Sequence, residues 1–274
     1  TVAVVGGGGV RSNLDSCEEL CDGSWRALPR LRSARHALAV TADASTGDVY
    51  ALSGWDSTSC TGAAEVLRAG AGEWAPLPPL QTPRKLHAAA VSHSGAVYCF
   101  GGVGDKSWGP LASCERLKRG GERWELCASL PRAAYAAAAT VGRHIFVFPC
   151  GDRLPTLRYS EEADAYHQCA PLPLKDWFGF AAAAHGRFVF LCGGATEGRW
   201  CSAVYRYDTE RDVYEALPQF KIVRRRLAAV VVAEERAQDK TEDDSGDVNA
   251  GGGGGAGGEV QVHEEPAVEK SDVV

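Results

Sequence analysis

Apolar and polar positions along the first 233 residues return in one pattern every 43 to 51 residues. Its first phrase is a short run of small or apolar residues: HALAVTA from His36, HAAAVS from His87, YAAAATV from Tyr135, FAAAAH from Phe180 and LAAVVVA from Leu227. The second follows a short turn and is rich in Val, Phe and Tyr before ending in glycine, as in TVAVVGGGG, DVYALSG, AVYCFGG, HIFVFPCG and RFVFLCGG. The last is an aromatic ahead of a Leu-Pro: Trp25 before Leu28-Pro29, Trp74 before Leu77-Pro78 and Trp124 before Leu130-Pro131. Degenerate forms end at Leu172-Pro173 and Leu217-Pro218. Five copies result.

Alanine is the best helix former, yet each alanine run lasts about five residues between a Pro- or Arg-containing loop and a Gly- or Ser-containing turn, too short for a stable helix. Paired apolar phrases joined by tight turns predict strands instead. A unit of about 45 residues with four short antiparallel strands is the sequence mark of a propeller blade. The small residues of the first phrase suit an innermost strand, where blades converge. The predicted fold is therefore all-β, a β-propeller of four-stranded antiparallel blades with five blades visible. Because the repeat opens on a second strand and finishes on a first, pairing of Leu227–Ala233 with Thr1–Val5 is expected to close the ring and remove its open edges.

These residues resemble the kelch repeat family. The resemblance rests on the doublets Gly101-Gly102 and Gly193-Gly194, on Trp25, Trp74 and Trp124, and on the arginine ahead of several first strands, Arg35, Arg84 and Arg132. It covers about residues 1–233. Ser53-Gly54 and Cys150-Gly151 depart from the doublet, and the fourth and fifth copies lack the tryptophan. Relatives usually carry six or seven blades, so a five-bladed ring and a ring missing an upstream repeat are both open. The resemblance also implies an interaction module, with a BTB or F-box adaptor domain upstream of Thr1 and a role in substrate recognition for ubiquitin ligases. An actin or signalling scaffold is the alternative, and a small oxidase or hydrolase of similar fold the third.

Charge changes the picture at the C-terminal end. Residues 234–274 carry 12 acidic and 3 basic side chains, whereas residues 1–233 carry 26 basic and 23 acidic ones, so a mildly basic body bears an acidic segment. With its glycine run 251–255 and few large apolar residues, that segment is expected to be disordered. The domain division is thus 1–233 and 234–274. The chain lacks methionine and begins at Thr1, and it reads as a fragment or processed form. No window approaches the roughly 18 apolar residues of a membrane helix. None of the ten cysteines forms a Cys-x-x-Cys pair and several sit in apolar runs, which fits a reducing, cytoplasmic setting.

Antiparallel alternation puts the connections between strands 2 and 3 and between strands 4 and 1 on one face of the ring. That face collects arginine and tryptophan, residues enriched at binding hot spots. From the strand 2–3 connections come Arg11, Asn13, Trp55, Lys106, Trp108, Arg153, Arg199 and Trp200. From the strand 4–1 connections come Arg35, Arg84, Lys85, Arg132, Lys175, Trp177, Arg225 and Arg226. For any one arginine ahead of a first strand, a scaffold role competes with a binding role. Collectively they predict a protein or acidic-peptide partner, because guanidinium groups bind carboxylates through paired hydrogen bonds.

Other chemistries find less support. Gly6–Gly9 lacks the last glycine of a dinucleotide loop and no helix pattern follows it. Cys17 and Cys21 have no matching second pair for a metal, and the seven histidines are scattered. No Gly-x-Ser-x-Gly or His-Glu-x-x-His occurs. The expectation is a binding protein with no cofactor, no metal and no catalysis, and a body this weakly basic argues against nucleic acid.

Overall fold

Every copy of the repeat folds into a small antiparallel sheet in a computed structural model that describes residues 2–9, 12–21, 24–105 and 109–221. The first sheet holds β1 (Val2–Gly8), β2 (Asn13–Cys21) and β3 (Ser24–Leu28). The second holds β4 (Ala39–Ala42), β5 (Val49–Leu52), β6 (Ala64–Leu67) and β7 (Ala75–Leu77). The short β8 (Arg84–Lys85) leads into the third, in which β9 (Ala88–Val91) and β10 (Val97–Phe100) are followed by β11 (Val103–Gly104), β12 (Cys114–Leu117) and β13 (Glu125–Cys127). There β9, β10, β12 and β13 form the blade, and β11 pairs β8 beside it. The fourth holds β14 (Ala136–Val141), β15 (His144–Pro149), β16 (Pro155–Ser160) and β17 (Ala165–Pro171). The fifth runs β18 (Ala181–His185), β19 (Phe188–Cys192), β22 (Val204–Asp208) and β23 (Val213–Leu217), with β20 (Ala195–Thr196) paired to β21 (Arg199–Trp200) at its side.

The chain is therefore a five-bladed all-β propeller, and its alanine runs are strands. Among the described residues the first blade has three strands, those predicted as its second, third and fourth. The strand expected to complete it, 227–233, lies outside the described residues, as do Thr1 and the acidic segment 234–274.

Alanine is used where side-chain volume is scarcest. The innermost strands β4, β9, β14 and β18 face one another around a central cavity of about 580 Å3, lined largely by Ala89, Ala90, Ala138, Ala139, Ala182 and Ala183. Larger side chains fill the wedges between blades, where area removed from water supplies the driving force. Val5, Cys17, Leu67 and Trp74 join blades 1 and 2. Leu52, Cys99 and Trp124 join blades 2 and 3. Tyr98, Phe100, Ile145 and Tyr159 join blades 3 and 4, and Phe146, Phe148, Val189 and Tyr207 join blades 4 and 5.

A polar link from the outer strand of each blade back to the preceding blade accompanies these wedges. Trp74 Nε1 donates to the Pro29 carbonyl (2.9 Å) and Trp124 Nε1 to the Pro78 carbonyl (2.7 Å). In the two copies that lack the tryptophan, tyrosine takes over: Tyr166 donates to the Ala128 carbonyl (3.0 Å), and the Tyr214 hydroxyl bonds the Thr156 hydroxyl. The glycine ending strand 2 permits the close passage of the next blade's entry. Gly101 has φ of 60°, and a Cβ there would stand 2.3 Å from the Ala134 carbonyl oxygen. Neighbouring Gly102 donates its N–H to that same carbonyl (2.9 Å).

One core position is polar without a partner. His87, just ahead of β9, is buried, and neither ring nitrogen has a hydrogen bond. The matching residue of blade 2 is Leu38. Burial, with the nearby Arg84 charge, pulls the His87 pKa from 6.5 down to about 3. The unfolded chain therefore takes up a proton near pH 6.5 that the folded chain refuses until about pH 3, so stability falls as pH falls through that window. We expect His87→Leu to remove about 2 kcal/mol of the stability lost between pH 6.5 and pH 5. Urea unfolding midpoints at the two pH values, compared between variant and parent, measure it; parallel pH profiles refute it.

Candidate protein-binding face

Two of the arginines predicted to meet a partner are buried at the joint where each blade's entry meets its third strand. Arg35 and Arg84 are both fully buried. Arg35 Nη1 lies 2.5 Å from Glu65 Oε1, and Arg84 Nη2 lies 2.7 Å from Glu115 Oε1. In the blade 3 joint the remaining polar groups are engaged as well, whereas Arg35 Nε is buried without a partner. Glu115 accepts the N–H groups of Gln81 (2.7 Å) and Thr82 (3.0 Å), while Arg84 donates to the carbonyls of Gly101 (2.9 Å) and Ser113 (2.7 Å). A guanidinium so enclosed is scaffold. Trp177 stands at the same joint of blade 5 and is also buried. Its Nε1 donates to Gly193 O (2.8 Å) as Arg84 does to Gly101 O, and its ring meets that of Tyr205 edge-on at 5.7 Å.

Arg132 is different, although its distance from the first strand equals that of Arg84. Gly54 donates its N–H to the carbonyl of Arg84 and Gly102 to that of Ala134, so Ala134 occupies the arginine's place in blade 4. Buried Thr156 there replaces the glutamate. Arg132 is left exposed on the loop face.

The remaining described residues of the predicted site gather in two places. On blades 1 to 3, Asn13 joins His36 and Trp55: His36 Nδ1 and Asn13 Oδ1 are 2.6 Å apart, and Asn13 Nδ2 donates to the Trp55 carbonyl (2.9 Å). Lys85 Nζ sits 3.8 Å from the centre of the half-buried Trp55 ring, a cation–π contact. On blades 4 and 5, Arg132, Arg153, Lys175, Arg199 and Trp200 are exposed, each within three residues along the chain of the lining of a slot of about 400 Å3. Tyr135 and Phe178, each 40% exposed, line this slot with Cys150, Gly151, Asp176 and Gly198. Loop length marks this place, since the strand 2–3 connection of blade 4 has only five residues, 150–154, against 11 in blade 5, 193–203. Backbone strain marks the same spot: Arg153, Asp176 and Glu197 hold φ of 47°, 44° and 48°. Asp152, Asp176 and Glu197 are exposed beside the cations, so the rim is mixed in sign. Tyr135 and Phe178 were not among the predicted site residues, and nothing local in the sequence distinguishes them from core aromatics. Arg11, Lys106, Trp108, Arg225 and Arg226 lie outside the described residues.

Titratable chemistry near these clusters is quiet. Burial pushes Cys60 and Cys150 up to about 12, so both are neutral thiols near pH 7. In the central cavity the titratable side chains are Asp43 and His93. Asp43 accepts from Ser45 Oγ (2.6 Å) and Arg119 Nη2 (2.7 Å), contacts that outweigh its desolvation and hold its carboxyl below the usual range. The contrast between buried and exposed arginines has a direct outcome. Arg84→Ala should cost about 3–5 kcal/mol by stranding Glu115, whereas Arg132→Ala should change stability by less than about 0.5 kcal/mol. Urea unfolding of both variants checks this, and equal losses would contradict the assignment.

Comparison with known proteins agrees with the geometry. The Kelch motif family matches residues 84–131, which span the buried Arg84 and blade 3. No curated protein matches the sequence. Among solved structures, that of YjhT is similar at 15% identity with a TM-score of 0.61, covering 71% of this chain and 68% of that one, a likeness of fold. Among the described residues no helix is long and apolar enough to cross a membrane. With one Kelch motif matched over blade 3 and four further antiparallel sheets of the same kind beside it, this chain is a five-bladed β-propeller that carries a Kelch motif.

Proposed function

We propose that this propeller is a protein-interaction module that grips an acidic peptide or protein segment on the face of its strand 2–3 and strand 4–1 loops, with no catalytic role. The observation that carries the reading is the slot between blades 4 and 5, lined by two half-exposed rings, with exposed Arg132, Arg153, Lys175 and Arg199 each within three residues of its lining along the chain. Aromatic and arginine side chains on a rigid scaffold are what hot spots are made of. Tyr135 and Phe178 offer apolar area at little entropic cost, and the exposed cations offer charge-assisted hydrogen bonds to carboxylates. The alanine-lined axis, with Asp43 committed to Ser45 and Arg119, supports binding rather than turnover. The role this reading favours is substrate recognition within a cytoplasmic ubiquitin-ligase adaptor, resting on the likeness to kelch propellers.

Calorimetric titration with an Asp/Glu-rich peptide containing one Leu or Phe tests it. Tyr135→Ala and the double change Arg132→Glu, Arg199→Glu should each weaken binding about tenfold or more, and affinity should fall with added salt. Unchanged affinity in both variants, or equal affinity for a Lys-rich peptide, would end the proposal.

A further inference from the structure

The slot between blades 4 and 5 has walls that are fixed and one polar group that is not in use. Tyr135 O accepts the N–H of Cys150 (2.7 Å), Phe178 exchanges backbone hydrogen bonds with Ala195 (3.0 and 2.9 Å), and Trp177 exchanges them with Gly151 (3.1 and 3.2 Å). Both exposed rings therefore stand on bridged backbone, so a ligand would not have to order them. Asp176 is the one charged residue of the described lining. Its carboxylate has no hydrogen bond or ion pair among the described residues. Acids on the strand 2–3 connections of blades 2 and 3 are committed by contrast: Asp56 accepts the N–H groups of Thr58 (2.8 Å) and Ser59 (2.9 Å), and Asp105 that of Cys60 (2.8 Å). Arg132, Arg153, Lys175 and Arg199 likewise make no ion pair among the described residues.

Side chains of different chemistry meet these walls differently. A carboxylate entering the slot would face Asp176 between two apolar rings. An ammonium or guanidinium would gain Asp176 and the ring faces, but it would come among four unpaired cations that outnumber the exposed acids Asp152, Asp176 and Glu197. Leu or Phe would cover the rings while stripping water from Asp176 and returning no donor, and an acceptor buried without its bond costs more than a made bond gains. An indole satisfies every constraint at once. It has flat apolar area for both rings, a single N–H for the carboxylate, and no charge. A phenol offers the same donor with less ring area.

We infer that the slot seats one tryptophan of the partner, its ring packed on Tyr135 and Phe178 and its N–H bonded to the Asp176 carboxylate, while acidic residues on either side of it reach Arg132, Arg153 and Arg199. This deepens the binding role proposed above and rests on it. The recognised motif becomes an acidic stretch around a single tryptophan, with the rings selecting for size and Asp176 for the donor. An N–H bonded to a charged acceptor is stronger than a neutral pair, so Asp176 discriminates against any anchor that lacks it.

The test is a series of Asp/Glu-rich peptides, identical except for one central residue, titrated calorimetrically against the full chain. That residue is Trp, its isostere benzothienylalanine, in which sulfur replaces the N–H, or Phe, Leu or Lys. The Trp peptide should bind about tenfold tighter than the benzothienylalanine peptide and tighter than the other three. In Asp176→Gly, which keeps a residue at home with the φ of 44° found there, the two should become equal, with the Phe peptide unchanged. Equal affinity of the isosteres in the parent, an advantage for Trp that survives Asp176→Gly, or a Lys peptide as tight as the Trp one would overturn the anchor while leaving the acidic-segment reading in place. Failure of every peptide to bind would overturn both.

Discussion

The structure depends on a charge that is hidden rather than displayed. Where the chain enters blades 2 and 3, a guanidinium with no exposure is fixed against a carboxylate on the third strand, and backbone N–H groups and carbonyls bond both partners further. Desolvating such a pair is expensive, and its mutual attraction does little more than offset the cost. What it contributes is placement. The arginine can satisfy its donors only if strand 2, strand 3 and the entering loop stand in one arrangement, so the joint fixes how the blade begins and where its loops emerge.

From that joint the remaining layers follow. Once the entry is fixed, the first strand is carried to the axis, where only small side chains fit. The outer strand swings back to bond the preceding blade through an indole or a phenol. The loop face is then a rigid platform whose relief is set by connection length. A five-residue connection in blade 4 lowers the surface locally and leaves Tyr135 and Phe178 accessible between longer neighbours. Positive φ at Arg153, Asp176 and Glu197 is tolerated there because the surrounding sheets leave the backbone no alternative.

The blade plan was readable from the sequence because it is local: apolar phrases, turns and Leu-Pro endings recur within each copy. The alanine runs, ambiguous by propensity, were resolved by their length and flanks. The site was readable only in part. Arg84 and Arg132 both stand four residues ahead of a first strand, and what separates them lies 31 and 24 residues downstream, in Glu115 and Thr156. A partner across the sheet decides whether an arginine is scaffold or surface, and no window of sequence contains both. The substitution of Trp177 and Tyr205 for an ion pair was hidden for the same reason, and Trp177 was read as a surface anchor when it is core.

The joint exists in two chemistries that do not mix. An arginine facing a glutamate is paired, and Trp177 packs edge-on against Tyr205, but either hybrid leaves a buried charge without its opposite. Passage from one kind of blade to the other therefore demands paired change at two distant positions. Ala134 with Thr156 is a neutral way station from which either path is open. Blades of such a ring can drift apart in sequence only along this narrow corridor, so covariation between the entry residue and the third strand should be a lasting record of how the copies diverged.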